Sequence, residues 1–333
     1  MARSIYIASP NAGTGKSTVA LGLVSCLTKV VAKVGVFRPF VESREGDAFL
    51  SLLLNRAGST TPPEQCVGAT WDEFHADPEE ALARIVDAYR AMAREHDVVI
   101  IDGSDFTDVA GNPELALNAR VAANIGVPVL LVVSGQNDVE DVVASVEVSM
   151  AEIADNHART VAVVANKCLP ETRQAVGEAL TAIEGITSTT LPEVPLLAAP
   201  VVREVLDAVE GTLIAGDETL LDREAESVLV GAMDVSHVLE RLTAGQLAIV
   251  PADRSAMLIS LMAAQASSSF PILSGLILNG GFEVAPHALR LLEGLDVNIP
   301  VITSPLDTYE AASAAGSLQG LLAHGSERKI DVA

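Results

Sequence analysis

The stretch "SIYIASPNAGTGKSTVALGLV", residues 4–24, sets an apolar run, a glycine-bearing loop and an amphipathic run in immediate succession. Few folds accommodate that order, because a buried strand must end in a loop that opens a helix at a lysine. Gly15, Lys16 and Ser17 fit the close of the phosphate-loop pattern G-x-x-x-x-G-K-[ST]; Pro10 holds the place of its first glycine, and Gly13 adds backbone freedom. Consecutive backbone N–H groups at a helix N-terminus surround a polyphosphate at low steric cost. Lys16 then supplies a point charge and Ser17 a hydroxyl for Mg²⁺. The competing reading is a glycine-rich βα turn with a solvated lysine.

The alternation continues down the chain. "KVGVFRPF", "HDVVIIDG", "VPVLLVVSG" and "TVAVVANKC" are nearly unbroken apolar runs, separated by helical stretches around residues 47–58, 78–95, 138–156 and 171–184. Apolar strands alternating with helices predict an α/β fold, a parallel sheet with helices on both faces. The comparatively polar "GTLIAGDETLLDREAE" predicts a boundary near residue 212, after which the alternation restarts from "SVLVGAM" to "TYEAASAAGSLQG" as a second, smaller α/β domain. The predicted division is 1–212, 213–323 and, for residues 324–333, the start of a helix or a linker. A chain of 333 residues suits two hydrophobic cores better than one.

Charge and composition exclude several classes. A net charge of −23 argues against a nucleic-acid surface, which needs clustered Lys and Arg. No apolar run approaches the roughly 18 residues of a membrane span, and the N-terminus lacks a signal-peptide pattern, so the expected location is the cytoplasm, away from membranes. Cys26, Cys66 and Cys168 lie too far apart for metal-ligand spacing and are expected to be buried free thiols. No histidine of the six stands in a recognisable catalytic arrangement.

Candidate ligand groups gather at strand ends. Asp102 follows "VVII", where a carboxylate can hold Mg²⁺ or cap a turn. Asp47 opens a helix and is either an N-cap or a metal-side group. Asn166, ending another strand, either meets a purine edge or orders the loop. Asp253 and Arg254 follow "LAIVP" and form a candidate effector site for a phosphate or carboxylate, against a helix-start Asp beside a surface Arg.

"GTGKST" with "VGVFRPF", "GDAFLSLL", "VVIIDG" and "VVANKCLPETR" resembles the dethiobiotin-synthetase-like P-loop domain. That resemblance implies ATP, or another purine nucleotide, bound with Mg. It places nucleotide contacts at Gly13, Thr14, Gly15, Lys16, Ser17, Thr18, Arg38 and Asn166, and metal-side groups at Ser17, Asp47 and Asp102. Arg38 stands where that family carries Lys, and Asp102-Gly103 where it has Glu-Gly. "AGQLAIVPADRSAMLISLMAAQ" and the later "NGG" resemble the DRTGG module, with Ser255 in place of Thr. P-loop domain followed by DRTGG module is the N-terminal arrangement of long-form bacterial phosphate acetyltransferases. The resemblance implies a regulatory and assembly region that works in acetate metabolism with a C-terminal acetyltransferase domain of the same protein. Implied too are a nucleotide or metabolite effector, a homo-oligomer, and no acetyl transfer by this chain alone. The alternatives are a free-standing ATP-dependent ligase or synthetase related to dethiobiotin synthetase, and a scaffold with a relic P-loop.

Overall fold

The computed structural model describes residues 2–104, 114–294, 298–318, 320 and 326–333. The chain divides into two compact units, Met1–Val194 and Pro195–Val332.

In the first unit, β1 (Arg3–Ala8), α1 (Lys16–Leu27), β2 (Val34–Val41), α2 (Ala48–Ala57), β3 (Val67–Thr70), α3 (Trp71–Ala76), α4 (Pro78–Glu95) and β4 (Val98–Asp102) come first. Then follow α5 (Glu114–Ile125), β5 (Val129–Ser134), α6 (Val139–Asp155), β6 (Thr160–Cys168), α7 (Arg173–Thr181) and β7 (Thr187–Pro192). The strands form one sheet in the order β3-β2-β4-β1-β5-β6-β7, and every pairing is parallel. All eight residues of β2 are buried. Since neighbouring side chains of a strand point to opposite faces, both faces of the sheet are covered. β1 lies at the centre, and its register sets Ile7 beside Asp102, so the phosphate loop leaves β1 level with the end of β4.

The second unit contains α8 (Pro195–Ala198), α9 (Val202–Ala208), β8 (Thr212–Ala215), β9 (Ser227–Val230), α10 (Val235–Leu239), β10 (Gln246–Pro251), α11 (Ser255–Gln265), β11 (Gly275–Asn279), α12 (Pro286–Gly294), β12 (Val301–Thr303), α13 (Thr308–Ser317) and α14 (Glu327–Val332). Its sheet runs β8-β12-β11-β10-β9; β9 to β12 are parallel, and β8 is an antiparallel edge. Alternate residues of β10 feed two cores: Ala248 and Val250 join Met257, Leu261 and Leu276, whereas Leu247 and Ile249 join Val205, Ile277 and Ile302.

These packings move the boundary from the expected residue 212 to 194/195. Val202, Val205 and Val209 of the α9 segment fill the second unit's core. "TLIA", read as part of a polar boundary, is β8 itself, paired with β12. Residues 319 and 321–325, which include the junction expected near 323, lie outside the described residues. Cys66 and Cys168 are buried as expected, but Cys26 is exposed. Burial, with Glu64 adding to it, pushes the Cys66 thiol up to about 11, so it stays protonated at neutral pH. Among the described residues no helix is long and apolar enough to cross a membrane.

Candidate functional site

The loop between β1 and α1 needs glycine for two separate reasons. Gly13 and Gly15 have φ of 77° and 80°, the left-handed region that other L-residues enter at a cost. A Cβ on Gly15 would also stand 2.2 Å from Asn166 Nδ2. The close approach is used: Asn166 Nδ2 donates to the Thr14 carbonyl at 2.9 Å, and Lys167 Nζ donates to the Gly13 carbonyl at 2.8 Å. The end of β6 therefore clamps the loop backbone at two successive carbonyls. Asn166 is thus oriented toward the loop, with its Nδ2 engaged by the Thr14 carbonyl. The sequence carries one signal for Lys167, an Asn-Lys pair near the end of β6, which lies two strands from β1, and its own φ is 60°.

Lys16 opens α1 and turns inward. Its Nζ donates to Asp102 Oδ1 and to the Gly103 carbonyl, each at 2.5 Å, with both side chains almost wholly buried. Arg38, on the neighbouring β2, pairs with Asp47, and its Nε faces Asp102 Oδ2 at 3.3 Å. That last pair lacks hydrogen-bond alignment, so Arg38 Nε and Asp102 Oδ2 are buried without hydrogen-bond partners, as is the Thr14 hydroxyl. Polar atoms left so are costly and point to a group absent from the protein alone.

Lys16, Arg38, Asp47 and Asp102 thus meet as two cations and two carboxylates. Asp47 is an N-cap as well: its Oδ1 accepts from the Leu50 N–H at 2.9 Å at the start of α2. Ser17 and Thr18 occupy the first turn of α1, half-buried. No group of three or more His, Cys, Asp or Glu side chains among the described residues could hold a metal ion. A Mg²⁺ ion is nonetheless compatible with the buried, unsatisfied Asp102 Oδ2 and a loop serine, because Mg²⁺ takes few protein ligands and keeps water or phosphate for the rest.

In the second unit Arg254 is turned onto its own domain. Its guanidinium donates to the Gly231 carbonyl at 2.6 Å and the Met233 carbonyl at 3.0 Å, while Asp253 is exposed.

Comparison with known proteins adds identity to this geometry. The AAA domain family matches residues 3–205, and the DRTGG domain matches residues 204–318. Phosphate acetyltransferase of Nitratidesulfovibrio vulgaris is 27% identical over 350 residues, covering 100% of this chain and 49% of that protein. Phosphate acetyltransferase of Synechocystis is 25% identical, covering 99% of this chain and 49% of that protein. The Escherichia coli phosphate acetyltransferase is 20% identical over 94% of this chain and 48% of its own length. The chain spans about half the length of these curated relatives. Among solved structures, the septum site-determining protein MinD of Pyrococcus horikoshii, complexed with Mg-ADP, aligns at a TM-score of 0.39 and 20% identity over 59% of this chain and 84% of that one. The chain belongs to the AAA domain family, carries a DRTGG domain behind that module, and is similar along its length to the N-terminal half of phosphate acetyltransferases.

Proposed function

We propose that this chain is the regulatory and assembly region of a phosphate acetyltransferase, the enzyme that interconverts acetyl-CoA plus phosphate with acetyl phosphate plus CoA. The observation that carries the proposal is one continuous similarity, through both modules, to half the length of proteins of that name. In this reading the chain sits in the cytoplasm, assembles with further copies of itself, and works with a C-terminal acetyltransferase domain. It transfers no acetyl group by itself, since CoA and phosphate must be held together in line, a task that this reading gives to the C-terminal domain.

The phosphate loop is proposed to take ATP or another purine nucleotide with Mg²⁺, which supplies charge neutralisation of the phosphates when bound. Gly13 to Thr18 present backbone N–H groups, and Lys16 exchanges Asp102 for a phosphate oxygen. Ser17 and Asp102 are the residues that would hold the ion; Asp47 acts on it through Arg38. Arg38, beside Asp102, stays within the site as a fixed cation. Asn166 and Lys167 keep the loop open in the required shape. The sequence marks neither an arginine finger nor a water-positioning glutamine, so turnover is expected to be slow. Asp253 and Arg254 remain a proposed effector pair, with the guanidinium first having to leave the Gly231 and Met233 carbonyls.

Calorimetric titration with ATP and GTP, with and without Mg²⁺, tests the nucleotide reading, and absence of heat from both would end it. Acetyl-CoA formation from acetyl phosphate and CoA, measured on residues 1–333, tests the other half. Activity that survives repurification would make this chain a catalyst in its own right.

A further inference from the structure

Asn118, on α5, is wholly buried although its side chain is an amide. Its Oδ1 accepts from the Tyr6 hydroxyl at 2.6 Å and from the Ser104 N–H at 3.0 Å. Its Nδ2 donates to the Ser104 carbonyl at 3.3 Å and to the Glu114 carbonyl at 3.0 Å. A backbone N–H only donates and a carbonyl only accepts, so these partners fix which end of the amide faces which. The side chain thus brackets Ser104 at both backbone groups, as a neighbouring strand would, and joins β1, α5 and the chain just past β4.

The consequence for the phosphate loop comes through one peptide group. The Ser104 N–H held by Asn118 and the Gly103 carbonyl held by Lys16 Nζ at 2.5 Å belong to the same peptide unit. Among the described residues no peptide bond is cis, and in a planar trans peptide the N–H and C=O point in opposite directions. Fixing the N–H toward α5 therefore aims the carbonyl at α1. Packing acts in the same sense: a Cβ on Gly103 would stand 2.6 Å from Asn118 Oδ1, 2.7 Å from the Ile7 carbonyl oxygen and 2.8 Å from Tyr6 Cε1. The Gly103 N–H donates to that Ile7 carbonyl at 2.9 Å, so the residue before the shared peptide is held as well.

We infer that Asn118 is a positioning residue of the nucleotide site, which keeps the Gly103 carbonyl as the fixed acceptor of Lys16 while that lysine exchanges Asp102 for a phosphate oxygen. The role rests on the nucleotide reading proposed above; the hold on the shared peptide does not. A lysine ammonium has three N–H bonds to give. With one of them kept on Gly103, the ammonium stays directed when Asp102 gives way. Without it the side chain moves among rotamers, and phosphate has to order it on binding.

Two measurements on the full chain test this, one with ATP and one without. In calorimetry with ATP and Mg²⁺, Asn118→Leu should weaken binding by about three- to tenfold, and should add nothing further in a Lys16→Ala background. Tyr6→Phe removes a hydrogen bond from the same amide but leaves the Ser104 N–H in place, so it should lower Tm while changing ATP affinity by less than about twofold. Without nucleotide, hydrogen exchange of the Ser104 amide should quicken in Asn118→Leu and, through the shared peptide, in Lys16→Ala as well. Rates are read against the amides of β5, which follow opening of the whole unit. If the parent protein binds no ATP, the nucleotide reading fails and the exchange measurement still decides whether Asn118 and Lys16 hold one peptide; its Lys16→Ala arm decides the same should Asn118→Leu not fold. An Asn118→Leu protein that binds ATP like the parent, effects of the two substitutions that add in full, or a Ser104 amide indifferent to Lys16→Ala would each overturn the inference.

Discussion

Lys16 Nζ lies 2.5 Å from Asp102 Oδ1, and the two side chains are 1% and 0% exposed. The lysine that would meet a phosphate is therefore held by the carboxylate that would meet a metal ion, and neither can be removed without leaving the other buried. Asp102→Ala is expected to destabilise the first unit by about 3–5 kcal/mol, as for breaking one side of a buried pair. Lys16→Met combined with Asp102→Leu should cost less than Asp102→Ala alone. Urea denaturation of the parent protein and the two variants measures both; a double variant as unstable as Asp102→Ala, or more so, would deny the coupling.

Gly15 and Gly58 share a positive φ, 80° and 60°, but only Gly15 has a neighbour in the path of a Cβ. Gly58→Ala should cost about 1–2 kcal/mol from backbone strain alone. Gly15→Ala should cost more, because Asn166 must also leave the Thr14 carbonyl, and adding Asn166→Ala should recover part of the excess. Thermal melts of the four proteins decide it, and equal shifts for the two glycines would remove the role given to the clamp.

The Val205 side chain is wholly buried in the core that contains Leu247, Ile249 and Ile302. Val205→Ala should cost about 1–3 kcal/mol. Hydrogen exchange should then quicken in β10, β11 and β12 and stay unchanged in β1 and β4. The opposite pattern would return residues 195–212 to the first unit.

Much of this architecture is legible because β4, β5, β6 and β11 are largely apolar runs that meet Asp102, Gly135, Asn166 and Asn279 at their carboxyl ends, and β1 and β10 are apolar through most of their length. β3 is not, since "VGAT" is four residues with a glycine whose Cβ position is filled by Ile85 Cγ1 and the Pro39 carbonyl, neighbours only the fold supplies. α5 blurs its apolar face with alanines at 116, 119, 122 and 123. The site divides the same way: Lys16, Arg38, Asp47 and Asp102 stand out by residue type and place, but their pairing depends on the register of β1 and β2 against β4. Local sequence cannot state which carboxylate meets which cation.

Lys329 is fully buried on α14 and donates to the Ala199 carbonyl at 2.9 Å. Burial holds its ammonium below the usual lysine range, with Glu204 and Glu224 opposing. Between that lowered value and the unfolded one, 10.5, the unfolded chain binds the extra proton, so stability rises with pH across this window. The rise cannot exceed one proton, about 1.4 kcal/mol per pH unit. Lys329→Met should flatten it, so the stability difference between wild type and variant should change with pH below 10.5 in the direction given. A constant difference from neutral pH upward would show that Lys329 keeps its proton as it does in water.

The exchange of Asp102 for phosphate at Lys16 makes a final prediction about nucleotide affinity. Lys16→Ala removes a charge-assisted contact and should weaken ATP binding by about ten- to a hundredfold, equivalent to ~1.5–3 kcal/mol. Asp102→Asn works oppositely on the same lysine: an amide still accepts its hydrogen bond, at 2.5 Å in the parent protein, but no longer holds its charge. ATP without Mg²⁺ should then bind as well as to the parent protein or better, because Lys16 is released at lower cost. The added affinity due to Mg²⁺ should fall, because the buried Oδ2 of Asp102 is the oxygen proposed to meet the ion. Calorimetry on the two variants, each checked for folding by circular dichroism, separates these effects. If Asp102→Asn weakens ATP equally with and without Mg²⁺, the carboxylate supports the loop only, and the competition between Asp102 and phosphate for Lys16 does not exist.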